Sequence, residues 1–175
     1  MYLTAGQFKG RKIIIPKSAR PTLSKVRESV FNILLNLDTG KKFLDMFAGS
    51  AIMGLEALSR GYCVKEIEID PKSALIIKKN YEILNQKADI SICDALKYKG
   101  DKFDIIYIDP PWNKDYGPII QKASELLNKN GVIILEYDSK QPIDTLKLAK
   151  ENTLEILKTK KYGRVKIEIL RNITK

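Results

Sequence analysis

The chain has 175 residues, 44% hydrophobic and 30% charged, with a formal net charge of +10, two cysteines and no histidine. That composition describes one globular unit large enough for a continuous core, and without histidine a His general base or a His-ligated metal is excluded. No segment approaches the roughly 20 apolar residues of a membrane span, and Met1–Gly6 carries no apolar signal core, so a cytoplasmic location is expected.

Residues 3–16 read as two short strands turning near Lys9-Gly10, a small β-hairpin, and residues 18–22 as a loop. A helix is predicted over Leu23–Leu37, with Val26, Val30, Phe31, Leu34 and Leu35 on its inner face. Apolar strands then alternate with amphipathic helices. Strands are predicted at 42–47, 64–69, 90–93, 103–108 and 131–137, and helices at 52–60, 72–85, 118–127 and, more weakly, 142–150. The 72–85 helix has an apolar stripe of Ala74, Leu75, Ile77, Ile83 and Leu84. Residues 154–160 and 164–170, joined by Lys161-Tyr162-Gly163, alternate as an antiparallel hairpin. Repeated βα units imply a mostly parallel α/β sheet with helices on both faces. The whole chain is expected to form a single domain: residues 1–37 are a basic arm of β-hairpin and helix, and 38–175 are the core.

Charge is uneven. Residues 1–37 net +6, residues 158–175 net +6, and the stretch between nets −2. Basic ends flanking a near-neutral body suggest a polyanion footprint, with a lysine-rich solvated surface as the plain alternative. Cys63 and Cys93 lie in apolar stretches without metal spacing and read as buried free thiols, so no metal is expected.

Open α/β sheets bind ligands at the carboxyl ends of their strands, and four such ends carry suggestive residues. The first runs from Asp45 through Phe47, Gly49 and Ser50, with Gly54 in the next helix. Glycine lets backbone approach a ligand, and Asp45 can pair with a cationic group. At the second, Glu68-Ile69-Asp70, a carboxylate can take two ribose hydroxyls; Glu68 or Asp70 could equally cap the helix opening at Pro71. Asp94-Ala95, the third, is placed to accept from an adenine amine. G-x-G-x-x-G is not intact, which disfavours a pyrophosphate ligand and favours S-adenosylmethionine, which has none.

The fourth end is Asp109-Pro110-Pro111-Trp112. The Asp carboxylate can accept one N–H of an exocyclic amine, and a proline-stiffened turn can aim a carbonyl at the other. Trp112 can stack on the base, worth about 1–3 kcal/mol. Alternatively, Asp-Pro-Pro is a helix cap with proline in the first turn.

Together these residues resemble a Rossmann-like class I S-adenosylmethionine-dependent methyltransferase with the amine-methylating [DNS]-P-P-[YFW] signature. The match extends over nearly the whole chain to the RsmD family, which methylates guanine N2 in small-subunit ribosomal RNA. It includes Arg20-Pro21-Thr22, Lys25-Val26-Arg27-Glu28, Phe47-Ala48-Gly49-Ser50, Glu68-x-Asp70, Asn80, Asp94-Ala95 and Asp109–Trp112. The resemblance implies a seven-stranded sheet, with Asp45, Phe47, Gly49, Ser50, Gly54, Glu68, Ile69, Asp94 and Ala95 on the cofactor. It also implies Asp109, Pro110, Pro111 and Trp112 on the guanine, and the basic Arg11, Lys12, Arg20, Lys25 and Arg27 are expected to hold the RNA backbone. The expected partner is small-subunit ribosomal RNA or the assembling subunit, with no obligate protein partner. Ala51 stands where the family usually has glycine, which matters if that backbone needs a positive φ. A DNA amino-methyltransferase and a non-catalytic RNA-binding assembly factor are the rival readings.

Overall fold

The computed structural model describes residues 1–16, 22–111 and 114–173. Its seven strands form one sheet in the order β3-β2-β1-β4-β5-β7-β6. They are β1 (Lys42–Asp45), β2 (Cys63–Glu68), β3 (Ile90–Ile92), β4 (Phe103–Ile108), β5 (Leu127–Asp138), β6 (Leu154–Tyr162) and β7 (Val165–Asn172). The first five pair in parallel, and β7 runs antiparallel to both β5 and β6. The closing hairpin therefore folds back so that its second strand, not its first, joins the parallel sheet.

The helices are α1 (Ser24–Leu34), α2 (Ile52–Ser59), α3 (Pro71–Ile83), α4 (Tyr116–Leu126) and α5 (Thr145–Glu151). None is long and apolar enough to cross a membrane. Alternate residues of β4 feed two cores. Ile105 and Tyr107 join the N-terminal arm, α1, α2 and α3 on one face, while Ile106 and Ile108 join α4 and α5 on the other. Burial on both faces is why β4 reads as a continuous apolar run.

Several expectations need correction. Leu35 is 76% exposed and Leu75 is 60% exposed; the buried face of α1 takes Arg27, and that of α3 takes Asn80 and Tyr81. Cys63 is free but exposed at the start of β2, and Cys93 is half-buried. The N-terminal hairpin shrinks to one antiparallel bridge, Tyr2 to Lys12. Its turn instead bonds to the end of α2: Gln7 N–H donates to the Ser59 carbonyl at 2.8 Å, Phe8 N–H to Ser59 Oγ at 3.0 Å, and Ser59 Oγ to the Ala5 carbonyl at 2.6 Å. Backbone groups need partners, and here a helix end supplies them.

Candidate active site

A cleft of about 690 Å³ opens at the carboxyl ends of β1, β2 and β4. It straddles the point where strand order reverses between β1 and β4, the usual ligand position in open α/β sheets. Asp45, Phe47, Gly49, Ser50, Glu68, Ile69, Asp94, Ala95, Asp109, Pro110 and Pro111 all line it. The fold thus gathers three separated acidic strand ends and the Asp-Pro-Pro turn around one space. Trp112 and Arg20 lie outside the described residues.

After β1 the chain makes a tight loop containing two left-handed residues, Gly49 (φ 54°) and Ala51 (φ 58°). Ala51 therefore does occupy a conformation that favours glycine. The loop is fixed from below by Glu68, whose Oε2 accepts the Gly49 N–H at 2.7 Å and whose Oε1 accepts the Asp70 N–H at 2.8 Å. Each oxygen keeps a further lone pair for a ligand. Capping of α3 falls to Asp70 alone, through the N–H groups of Lys72 at 3.2 Å and Ser73 at 3.0 Å. Asp94 heads a short 3₁₀ turn, accepting the Leu96 N–H at 3.0 Å.

Asp45 is buried beneath the loop. Gly54 N–H reaches its Oδ2 at 3.3 Å, while Oδ1 has no hydrogen-bond partner among the described residues. Burial raises its pKa to about 7, against the lowering effect of the Gly54 and Phe47 N–H groups; the charges of Glu68 and Glu136 push the same way as burial. Gly54 itself is not on the cleft. A Cβ there would stand 2.0 Å from Glu66 Oε1, so this glycine lets α2 approach a buried acid on β2. Glu66 is fully buried, accepts from Tyr81 Oη at 2.7 Å, and is held well above the ordinary carboxylate range, first by burial. Nothing in the local sequence marks Glu66, since an acid mid-strand reads as exposed until α2 covers it.

On the other side, Asp109 follows β4 directly and is half-buried. It does not cap a helix: α4 begins at Tyr116, and Asp115 is its N-cap, accepting the Gly117 N–H at 3.0 Å. Beside it lies a group the sequence did not suggest. Tyr107 donates to Glu136 Oε2, and Thr22 Oγ1 lies 3.2 Å from the same phenol oxygen. Thr22 and Tyr107 both line the cleft. Burial, then the charges of Glu136 and Asp109, keep the Tyr107 hydroxyl protonated well above its usual range.

Of the basic residues assigned to RNA, Arg11, Lys12 and Lys25 are exposed, with Arg11 also donating to the Ile83 carbonyl at 2.6 Å. Arg27 is not available to a ligand. It is 1% exposed, with Nε 3.6 Å from Glu56 Oε1 and Nη2 2.9 Å from Ser24 Oγ. It packs on the inner face of α1 with Val26, Val30 and Phe31, a correction to its expected place against RNA.

The fold and this cleft define a Rossmann-like, S-adenosylmethionine-dependent methyltransferase. More narrowly, the chain belongs to the ribosomal RNA small subunit methyltransferase D (RsmD) family. The family described as "Conserved hypothetical protein 95" matches residues 1–171. Ribosomal RNA small subunit methyltransferase D of Buchnera aphidicola is 34% identical over 157 residues, spanning 82% of this chain and 81% of its own. The protein of the same name from Haemophilus influenzae is 32% identical over 180 residues, spanning 91% and 92%. Among solved structures, the Escherichia coli protein yhhF superposes with a TM-score of 0.83 at 28% identity, covering 98% of this chain and 97% of that one.

Proposed function

We propose that this protein methylates the exocyclic N2 amine of a guanine in small-subunit ribosomal RNA. Methylation of ribosomal RNA with S-adenosylmethionine follows from family membership; the guanine and its N2 atom are the finer reading. One observation carries that reading: Asp109-Pro110 follows β4 directly and lines the same cleft as Glu68.

The residues present fit the cofactor. Asp45 Oδ1, buried and without a hydrogen-bond partner among the described residues, suits the ammonium of an amino-acid end. Glu68 suits the ribose hydroxyls, Asp94 the adenine amine, and Ile69 and Leu96, exposed on the cleft wall, offer apolar faces to the ring. Phe47, Gly49, Ser50 and Ala95 supply the close backbone around it. Bound there, S-adenosylmethionine supplies an electrophilic methyl group.

An aromatic amine is a poor nucleophile because its lone pair is delocalised into the ring. Asp109 and the Pro110 carbonyl accept hydrogen bonds from its two N–H groups, localise the lone pair and hold it in line for transfer. The proton that the nitrogen sheds once methylated passes to water or to the Asp109 carboxylate. Alignment and fixed dipoles then provide most of the acceleration. Pro111 stiffens the turn, and Trp112 is assigned base stacking from its place in the motif. The base is reached from a loop or by flipping, with Arg11, Lys12 and Lys25 against the RNA backbone. The proposed location is the cytoplasm.

The test is incubation with labelled S-adenosylmethionine and either deproteinised small-subunit RNA or small ribosomal particles from a strain lacking the protein. Label on a guanine N2 in one arm is the expected result, and the arm that labels identifies the substrate form. Label on another atom overturns the guanine N2 reading.

A further inference from the structure

The two basic ends of the chain meet across a single groove. Tyr162 Oη and Ser29 Oγ, 133 positions apart in sequence, are hydrogen-bonded. Around that bond lies a groove of about 580 Å³ between α1 and β6. Lys25, Ser29, Asn32 and Asn36 come from the helix side, and Lys158, Lys160 and Tyr162 from the strand. Strand pairing explains the second row. Lys158, Lys160 and Tyr162 stand opposite Ile169, Ile167 and Val165, which belong to the core under α1, so all three point to that side of the sheet.

The groove has the chemistry of a nucleic-acid track. Its three lysines are exposed, and the lining has one acid against them, Glu28. Asparagine amides and hydroxyls lie between the charges and suit sugars and phosphate oxygens. It also leads away from the cleft: Thr22 lines the cleft, α1 begins two residues later, and its 11 residues extend about 16 Å. β6 is the outermost strand of the sheet, so this wall stands at the molecule's edge rather than under another element.

We infer that this groove holds the RNA strand flanking the target nucleotide, with Lys25, Lys158 and Lys160 each against a phosphate. The inference rests on the ribosomal RNA reading given above and adds the C-terminal hairpin to the substrate surface.

The test is a double charge reversal, Lys158→Glu with Lys160→Glu, and separately Lys25→Glu on the opposite wall. Lys147→Glu on α5, 67% exposed over the other core, is the control. Affinity for unmodified small ribosomal particles is measured between about 50 and 200 mM monovalent salt, and the double variant is expected to lose about 1.4 from the log–log salt slope. Its affinity at the low-salt end should fall at least about ten-fold, with half that loss of slope for Lys25→Glu and none for the control. S-adenosylhomocysteine affinity by calorimetry and the melting temperature stay at wild-type values, which separates a lost RNA contact from a lost fold. Wild-type RNA affinity and slope in both wall variants overturns the groove while leaving the methyltransferase reading standing. A wild-type protein that transfers no label to small-subunit RNA, free or in particles, overturns that reading and this inference with it.

Discussion

Arg27 and Glu56 face each other in the interior, Nε to Oε1 at 3.6 Å, with 1% and 0% of their side chains exposed. Glu56 also accepts from Thr4 N–H and Oγ1, both at 2.9 Å, and pairs with Arg60. This cluster fastens the N-terminal arm and α1 to α2, the helix that follows the loop of Gly49 and Ala51. Burial lowers the Arg27 pKa, and Glu56 opposes that shift. Removing Arg27 takes one of two cations from a buried carboxylate that keeps Arg60 and Thr4, at about 1–3 kcal/mol. Arg27→Ala should therefore lower the urea midpoint while leaving the salt slope of RNA binding unchanged. A stable variant with a shallower slope would return Arg27 to the RNA surface.

Glu68 supports the loop and faces the cleft at once. Glu68→Ala should weaken S-adenosylhomocysteine binding by about 1.5–3 kcal/mol, the range for hydrogen bonds to a charged group. Glu68→Gln, which keeps an acceptor but can hold only one of the two N–H groups as before, should fall between. Calorimetry reads both, and NAD run alongside should not bind. Wild-type affinity in Glu68→Ala would remove this residue from the cofactor site.

For Asp109, the expected role is alignment of the amine. Asp109→Ala should fold and bind S-adenosylhomocysteine normally while kcat drops by about 10²–10³. Asp109→Asn retains one acceptor and should keep part of the activity. If the carboxylate removes a proton, Asn will be as inactive as Ala. Single-turnover methyl transfer at saturating RNA and cofactor distinguishes these, and near-wild-type turnover by the Ala variant would end the catalytic assignment.

The buried Asp45 makes a pH prediction. Its folded pKa of about 7 lies above the ordinary 3.8, so between those values the folded protein holds a proton that the unfolded chain has released. Folding stability therefore falls as pH rises through that window, by at most about 1.4 kcal/mol per pH unit from this group. The loss is complete above the window and absent below it. Glu66, raised by the same burial, acts in the same direction. Asp45→Asn should flatten the curve of urea-unfolding free energy against pH. An unflattened curve would show Asp45 ionised throughout.

Much of this was legible before any fold. The α/β alternation, the sheet class, the closing hairpin and the acidic strand ends Asp45, Glu68, Asp94 and Asp109 followed from periodicity and motif position. Both are local properties: a strand buried on two faces must be apolar, and a ligand site at its carboxyl end must be polar. Gly54, also expected there, lies off the cleft, and Tyr107 on it was not foreseen. What stayed hidden depends on which elements touch. Glu66 beneath Gly54, the Tyr107–Thr22–Glu136 group and the Arg27–Glu56 pair join residues far apart in sequence, and a charged side chain carries no local mark of being buried. The same holds for charge. The sequence alone determined that both ends are basic; only the hydrogen bond between Ser29 and Tyr162, formed when the last hairpin inserts β7 beside β5, decided that they share one groove.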